Sequence, residues 1–105
     1  MAFDFLAGNG PQIRNPAHHV GSIDHHELPA ILRLLAHADS FFLHRIFGLC
    51  EDQTFSTQEV EQALSHLVPL LARPLESDDR TLLHKLIAVL AYAQVTQQSL
   101  HGVAD

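Results

Sequence analysis

Nine histidines in a chain of 105 residues are the first place to look for chemistry, at positions 18, 19, 25, 26, 37, 44, 66, 84 and 101. Imidazole ligates zinc and nickel and moves protons near neutral pH. A helical chelate needs two ligands four residues apart on one face, and no two of these histidines have that spacing. His37 and His44 lie two helical turns apart, too far for one ion. The remaining arrangement sets His18-His19 against His25-His26-Glu27, which gathers imidazoles and a carboxylate only if the segment between them folds back. The plainer expectation is a set of surface histidines with no bound metal and no cofactor. Their protonation then makes the net charge less negative below about pH 6.5.

The candidates for nucleophilic catalysis are Cys50, Ser40 and Ser56 with some histidine as base. No spacing singles one out, and Cys50 closes the apolar run 41–49, where a packed core thiol is the usual role. Gly8-Asn9-Gly10-Pro11 resembles a phosphate-binding turn in composition. No strand is expected before it, no lysine follows, and Pro11 removes an amide donor. Paired carboxylates have a structural reason to be where they are, at the starts of helices. The expectation is a chain that is not an enzyme.

Composition narrows the class further. Cys50 is the only cysteine, which excludes an intramolecular disulfide and fits a reducing compartment. Residues 1–10 carry no lysine or arginine and only a short apolar stretch interrupted by Asp4, unlike a secretory signal. The apolar segment 82–95 is interrupted by His84, Lys85, Tyr92 and Gln94 and falls short of a membrane span. A cytoplasmic protein without a membrane anchor is expected. Six basic against twelve acidic residues give a net charge of -6, which repels phosphate backbones. Direct nucleic-acid binding is therefore not expected, and a basic protein is the natural partner.

The elements that would position these residues read as helices. Residues 1–27 hold three of the five glycines and two of the five prolines, with turn signals at Asn9-Gly10-Pro11 and Asn15-Pro16, and read as an irregular arm. Within it Phe3, Phe5 and Leu6 have the alternation of an extended segment that could dock on the body, with a short strand as the alternative. From Leu28 on, Ile31, Leu35, Ala38, Phe42, Ile46 and Leu49 recur at three and four, one face of a helix that Asp39-Ser40 can divide in two. Ser56-Thr57-Gln58-Glu59 is a capping box, and Val60, Leu64, Leu67 and Leu71 form the face of the helix behind it. Pro69 should end that helix early. Pro74 forces Arg73 to extend, and Ser77-Asp78-Asp79 opens a last helix expected to run to about Leu100, with Gly102 as its stop. That helix is apolar on more than one side, as a centrally buried helix is. The reading is one all-α domain over 1–105: a bundle of three to five helices, with an arm at 1–27 and a helical body at 28–101. Leu35, Ile46, Leu64, Leu67, Leu86 and Leu90 are its expected core.

Two surfaces carry the functional expectation. Glu51, Asp52, Glu59, Glu61, Glu76, Asp78 and Asp79 place seven acids within residues 51–79 against the single base Arg73. If the connections at 51–56 and 73–79 meet at one end or edge, they form one negative docking surface for a basic protein. The second surface is Phe41, Phe42 and Phe47, which leave the helix apolar on most sides and would serve a helical homodimer or adaptor. In size, acidity and the band at 51–79 the chain resembles the small helical immunity proteins of bacterial toxin systems such as contact-dependent inhibition. That resemblance implies a protein inhibitor that occludes the active site of a toxin domain, such as a nuclease. A histidine-metal protein built on the arm is the third alternative.

Overall fold

The computed structural model describes residues 2–8, 18–47 and 51–104. Four helices, α1 (Leu28–His37), α2 (Phe41–Phe47), α3 (Thr57–Leu67) and α4 (Ser77–Val95), pack on a four-stranded antiparallel sheet of β1 (Ala2–Gly8), β2 (His18–Asp24), β3 (Gln53–Phe55) and β4 (Ser99–Ala104). The fold is therefore α+β, and the expectation of an all-α helical bundle is overturned. Helix still makes up 61% of the structure, so more than half is helical as expected. The strand order is β2-β1-β4-β3, which puts the first and last strands side by side at the centre.

The supposed arm is the heart of the sheet. Phe3, Phe5 and Ala7 of β1 are fully buried, opposite Ala104, Gly102 and Leu100 of β4. The alternation around Phe3 and Phe5 was a strand signal, and the glycines and prolines after it masked how much of the arm it governs. The reading of 28–101 as all helical fails twice. β3 is only three residues long, too short for any periodicity to register, and α4 stops at Val95 instead of continuing to Leu100.

That stop has no glycine. Gln97 takes a left-handed backbone (φ 54), its N–H donates to the Gln94 carbonyl at 3.1 Å, and Gln98 N–H donates to the Ala93 carbonyl at 2.9 Å. This pair of bonds is the helix-ending turn normally closed by glycine. Gly102, expected as the stop, has a different task. A Cβ there would lie 2.2 Å from Cζ of Phe3, so the glycine leaves the space that the ring occupies.

Other local signals act as expected. Ser56 Oγ accepts from Glu59 N–H at 3.2 Å and Ser56 N–H donates to Glu59 Oε1 at 3.0 Å, which closes the capping box. α3 ends at Leu67 and tightens into a 3-10 turn, Val68–Ala72, containing Pro69. Arg73 is extended before Pro74, and the chain breaks between α1 and α2 around Asp39-Ser40. Ile46, Leu64, Leu67, Leu86 and Leu90 are buried, while Leu35 is only partly so. A row of rings joins the layers: Phe3 meets Phe5 edge-on at 5.4 Å, Phe5 stacks on Phe42 at 6.2 Å, and Phe42 reaches Phe55 at 4.8 Å.

Two substitutions check this arrangement. Gly102→Ala should destabilise by about 1–3 kcal/mol, because a fully buried ring must move. The loss should shrink in the Phe3→Leu background; simple additivity in urea denaturation would show that the ring and glycine are not coupled. Gln97→Gly should stabilise the fold by about 1 kcal/mol by relieving the left-handed penalty, and an unchanged midpoint would count against that strain.

Candidate functional site

The chain turns from α3 into α4 as an antiparallel hairpin, which decides where the acids go. Thr57, Gln58 and Glu61 from the start of α3 line one depression with Gln94 and Gln97 from the end of α4. Asp79 lies fifteen residues before Gln94 on α4, about 22 Å away at 1.5 Å per residue. The connections at 51–56 and 73–79 thus sit at opposite ends of the hairpin, and the seven acids form two groups instead of one band.

The group at the start of α4 is largely consumed within the fold. Asp79 is buried, and Arg33 Nε donates to both its oxygens at 2.9 Å while Nη2 lies 2.8 Å from Oδ1. These contacts hold the Arg33 guanidinium pKa above its ordinary value, the hydrogen bond to Asp79 being the largest cause. Glu76 lies 3.8 Å from the same guanidinium. Arg80 donates to the carbonyls of Leu71 and Arg73 at the same turn. Asp78 is exposed.

The group on the β3–α3 edge keeps more of its charge. Glu59 is paired with Arg45 Nη1 at 2.7 Å, and Arg45 also donates to Gln53 Oε1 and the Thr54 carbonyl and lies over the Phe55 ring at 4.2 Å. Asp52 accepts from Ala104 N–H at 2.9 Å, which ties the β3 strand to the end of β4 without supplying a positive charge. Glu51 and Glu61 are exposed, and among the described residues neither has an ion pair. This edge therefore sets four carboxylates against one guanidinium, and β3 is the edge strand of the sheet.

The aromatic surface expected at Phe41, Phe42 and Phe47 does not form. Phe42 is fully buried, and Phe41 and Phe47 pack partly buried against the same core. Exposed apolar side chains are elsewhere: Leu32, Val68, Tyr92 and Val95 are 53%, 45%, 41% and 81% exposed. Val68 borders an open groove between α3 and α4, lined also by Leu64, Ile87 and Ala91.

Nor do the arm histidines converge. His18-His19 open the extended strand β2 and His25-His26 follow its other end, roughly 20 Å away. Asp24, His26 and Glu27 do place ligand atoms within 4.8 Å of one another. Lys85 Nζ, however, lies 2.9 Å from both Glu27 oxygens, and Asp24 N–H donates to one of them. Burial raises the Glu27 pKa, but the Asp24 N–H and the Lys85 ammonium outweigh it and leave it below the ordinary value. An arriving cation would have to displace that ammonium. His44 and His19 bond to Asp39 and Asp4 on the surface. Among the nucleophile candidates, the Ser40 hydroxyl is buried with no hydrogen-bond partner among the described residues, and the Ser56 hydroxyl is used in its cap. Cys50 lies outside the described residues, as do the turn residues Asn9, Gly10, Pro11, Asn15 and Pro16. Gly8 is the last residue of β1, so a strand does lead into that turn, where none was expected before it.

Sequence reasoning overlooked His101. It shares a sheet face with Leu6 and Thr54, its neighbours on β1 and β3, opposite to the face of Phe5 and Leu100. Its ring is fully buried, with Nδ1 in a 3.1 Å hydrogen bond with Thr54 Oγ1 and Nε2 unpartnered among the described residues. The sequence carries no usable signal for it, since Gly102 leaves the alternation in 99–104 without the inward side chain that would set Leu100 apart from His101.

Burial pushes the His101 pKa below its ordinary value, against a smaller opposing pull from the Gly8 backbone. The unfolded chain then takes up the proton first as pH falls. The neutral ring's contribution to stability is present above the unfolded value of about 6.5 and is lost as pH falls below it. Urea denaturation at pH 7.5 and pH 5 should show this loss, and His101→Gln should reduce the difference. An identical pH slope in the variant would clear His101 of the effect.

No family model matches the chain, and no curated protein or solved structure matches it.

Proposed function

We propose that this chain is a non-enzymatic protein inhibitor of the bacterial immunity type, acting in the cytoplasm. It binds a basic toxin domain, such as a nuclease, through the β3–α3 edge. One observation supports the choice of surface: after intramolecular pairs are subtracted, negative charge remains at Glu51, Asp52 and Glu61, while at the start of α4 Arg33 and Arg80 offset two of the three acids. A surviving field of one sign steers a partner of the other and speeds encounter more than it deepens affinity. The edge also suits a partner contact because Arg45 already covers the Thr54 carbonyl, and Asp52 fixes the strand in place. The carboxylates are thus presented on a braced surface and little ordering entropy is lost on binding.

The test is association kinetics with a toxin domain encoded in the neighbouring frame. Glu51→Lys with Glu61→Lys should slow association about tenfold at low salt, with the gap closing as the Debye length falls from ~10 Å at 0.1 M to ~3 Å at 1 M. Glu76→Lys with Asp78→Lys should change the rate little. Equal rates for the first pair and wild type would remove the edge from the interface. A neighbouring toxin that the chain neither binds nor neutralises would sink the inhibitor reading itself.

A further inference from the structure

The sheet has two edges, β2 and β3, because each pairs with a single neighbour. An edge strand presents carbonyl and N–H groups that a strand from another molecule can take. β3 is three residues long and offers little length for such pairing, whereas β2 runs for seven. Two groups of β2 are already occupied. Lys85 Nζ of α4 donates to the Ser22 carbonyl at 3.1 Å, and the Asp24 N–H donates to Glu27 Oε1 at 3.0 Å. Residues two apart turn their backbone groups to the same side of a strand, and β1 takes the other side, so both bonds lie on the open edge. Lys85 and Glu27 are themselves joined, with Nζ 2.9 Å from both carboxylate oxygens. The pair thus supplies the edge with one donor and one acceptor, as a further strand would.

The arrangement recurs at the other edge. Arg45 Nη2 donates to the Thr54 carbonyl at 2.8 Å, the Ser56 N–H donates to Glu59 Oε1 at 3.0 Å, and Arg45 Nη1 lies 2.7 Å from Glu59 Oε2. Carbonyl, amide and glutamate belong to Ser22, Asp24 and Glu27 on one edge and to Thr54, Ser56 and Glu59 on the other, at the same spacing. Helix capping accounts for a glutamate on the amide. It does not account for a cation held by that glutamate on the strand carbonyl, at both edges of one sheet.

We propose that the Glu27–Lys85 pair closes the β2 edge against strand addition, and that once it is removed β2 pairs antiparallel with β2 of a second copy and extends the sheet. A second copy is the occupant because it carries the same seven-residue strand, and a two-fold axis lets each edge satisfy the other. Lys85 and Glu27 lie outside the acidic docking edge, so the closure stands whether or not that edge binds a toxin.

Sedimentation velocity of the whole chain, from the micromolar to the hundred-micromolar range and paired with infrared spectra, tests it. Glu27→Ala with Lys85→Met removes donor, acceptor and both charges while the net charge stays at -6. This variant should form dimers or larger species absent from wild type at the same concentration, with an added infrared signal of intermolecular strands. Glu27→Gln with Lys85→Met keeps an acceptor for the Asp24 N–H, preserves the fold better and should associate in the same way but less. Lys85→Arg, which keeps the donor, should sediment as wild type. Arg33→Met with Asp79→Asn breaks a pair between α1 and α4 instead of one on the edge, and should lower stability without association. If the folded variants lacking Lys85 and Glu27 sediment as wild type does, the proposal is overturned. Equal association by the Arg33 and Asp79 variant would overturn it too, by tying association to lost stability and not to the edge.

Discussion

The pairing of β1 with β4 is the contact on which the other packing rests. It joins residues almost a whole chain apart: Phe3 lies opposite Ala104, Phe5 opposite Gly102 and Ala7 opposite Leu100. β1 alone would offer two phenylalanines with no floor beside them, and β3 would have no strand to pair with, since its one neighbour is β4. The Phe3 ring uses the space left by the missing side chain of Gly102, and Phe5 passes the contact on to Phe42 of α2. Helices α1 to α4 bury their inner faces against this centre. Loop closure of that length costs entropy before any contact returns it. The local helical signals therefore have to be strong, and the capping box at Ser56 and the prolines at 69 and 74 are.

Charge in this molecule is mostly used as fastening. Lys85 of α4 reaches both Glu27 oxygens and the Ser22 carbonyl, Arg33 of α1 holds Asp79 of α4, and Arg45 of α2 holds Glu59 of α3. The pairs differ in weight. The Asp79 side chain is 4% exposed, so removing Arg33 would leave a carboxylate in the interior without its partner. The Arg33 end is 43% exposed, and water screens part of the attraction there. The contact of Arg33 with Glu76, whose side chain is 76% exposed, is the weaker of the two. A net charge of -6 therefore overstates the field at the start of α4 and describes the β3–α3 edge better.

How much of this could be read beforehand follows from the length over which each signal repeats. The four helices were legible because each spans two turns or more and starts or stops at a residue with one strong preference, such as Ser56, Pro69 or Pro74. β1 was half legible in Phe3 and Phe5. β4 was not, because Gly102 stands at the inward position between Leu100 and Ala104 and adds no hydrophobic side chain to the alternation. Gln97 hid the end of α4 by doing a glycine's task. For the site, the separation of the acids was within reach: a short link through Pro74 implies an antiparallel hairpin, and a hairpin puts 51–56 and 73–79 at opposite ends. The burial of Asp79 was not, since nothing near it in sequence points to Arg33, 46 residues earlier. Phe42 looked like surface for the same reason, its partners Phe5 and Phe55 being supplied by strands that had not been seen.

The uncharged stretch from Leu86 to Ala104 serves two parts of the fold with different tolerances. β4 lies between β1 and β3, and Leu100, His101 and Gly102 are fully enclosed, so a fixed charge at these positions would lose its hydration without a partner. The absence of charge there follows from the sheet. The outer stripe of α4 has no such constraint, because Ala88 and Val95 already face solvent and a lysine or glutamate would be accommodated at either without touching the core. Surface helices ordinarily fill such positions with charged residues, which favour helix and solubility together. On α3 that is what happens, with Glu61 exposed between Gln58 and Gln62 and Ser65 one turn on. The two helices of one hairpin thus differ in surface: α3 carries charge on its exposed side, and α4 from Leu86 onward carries none.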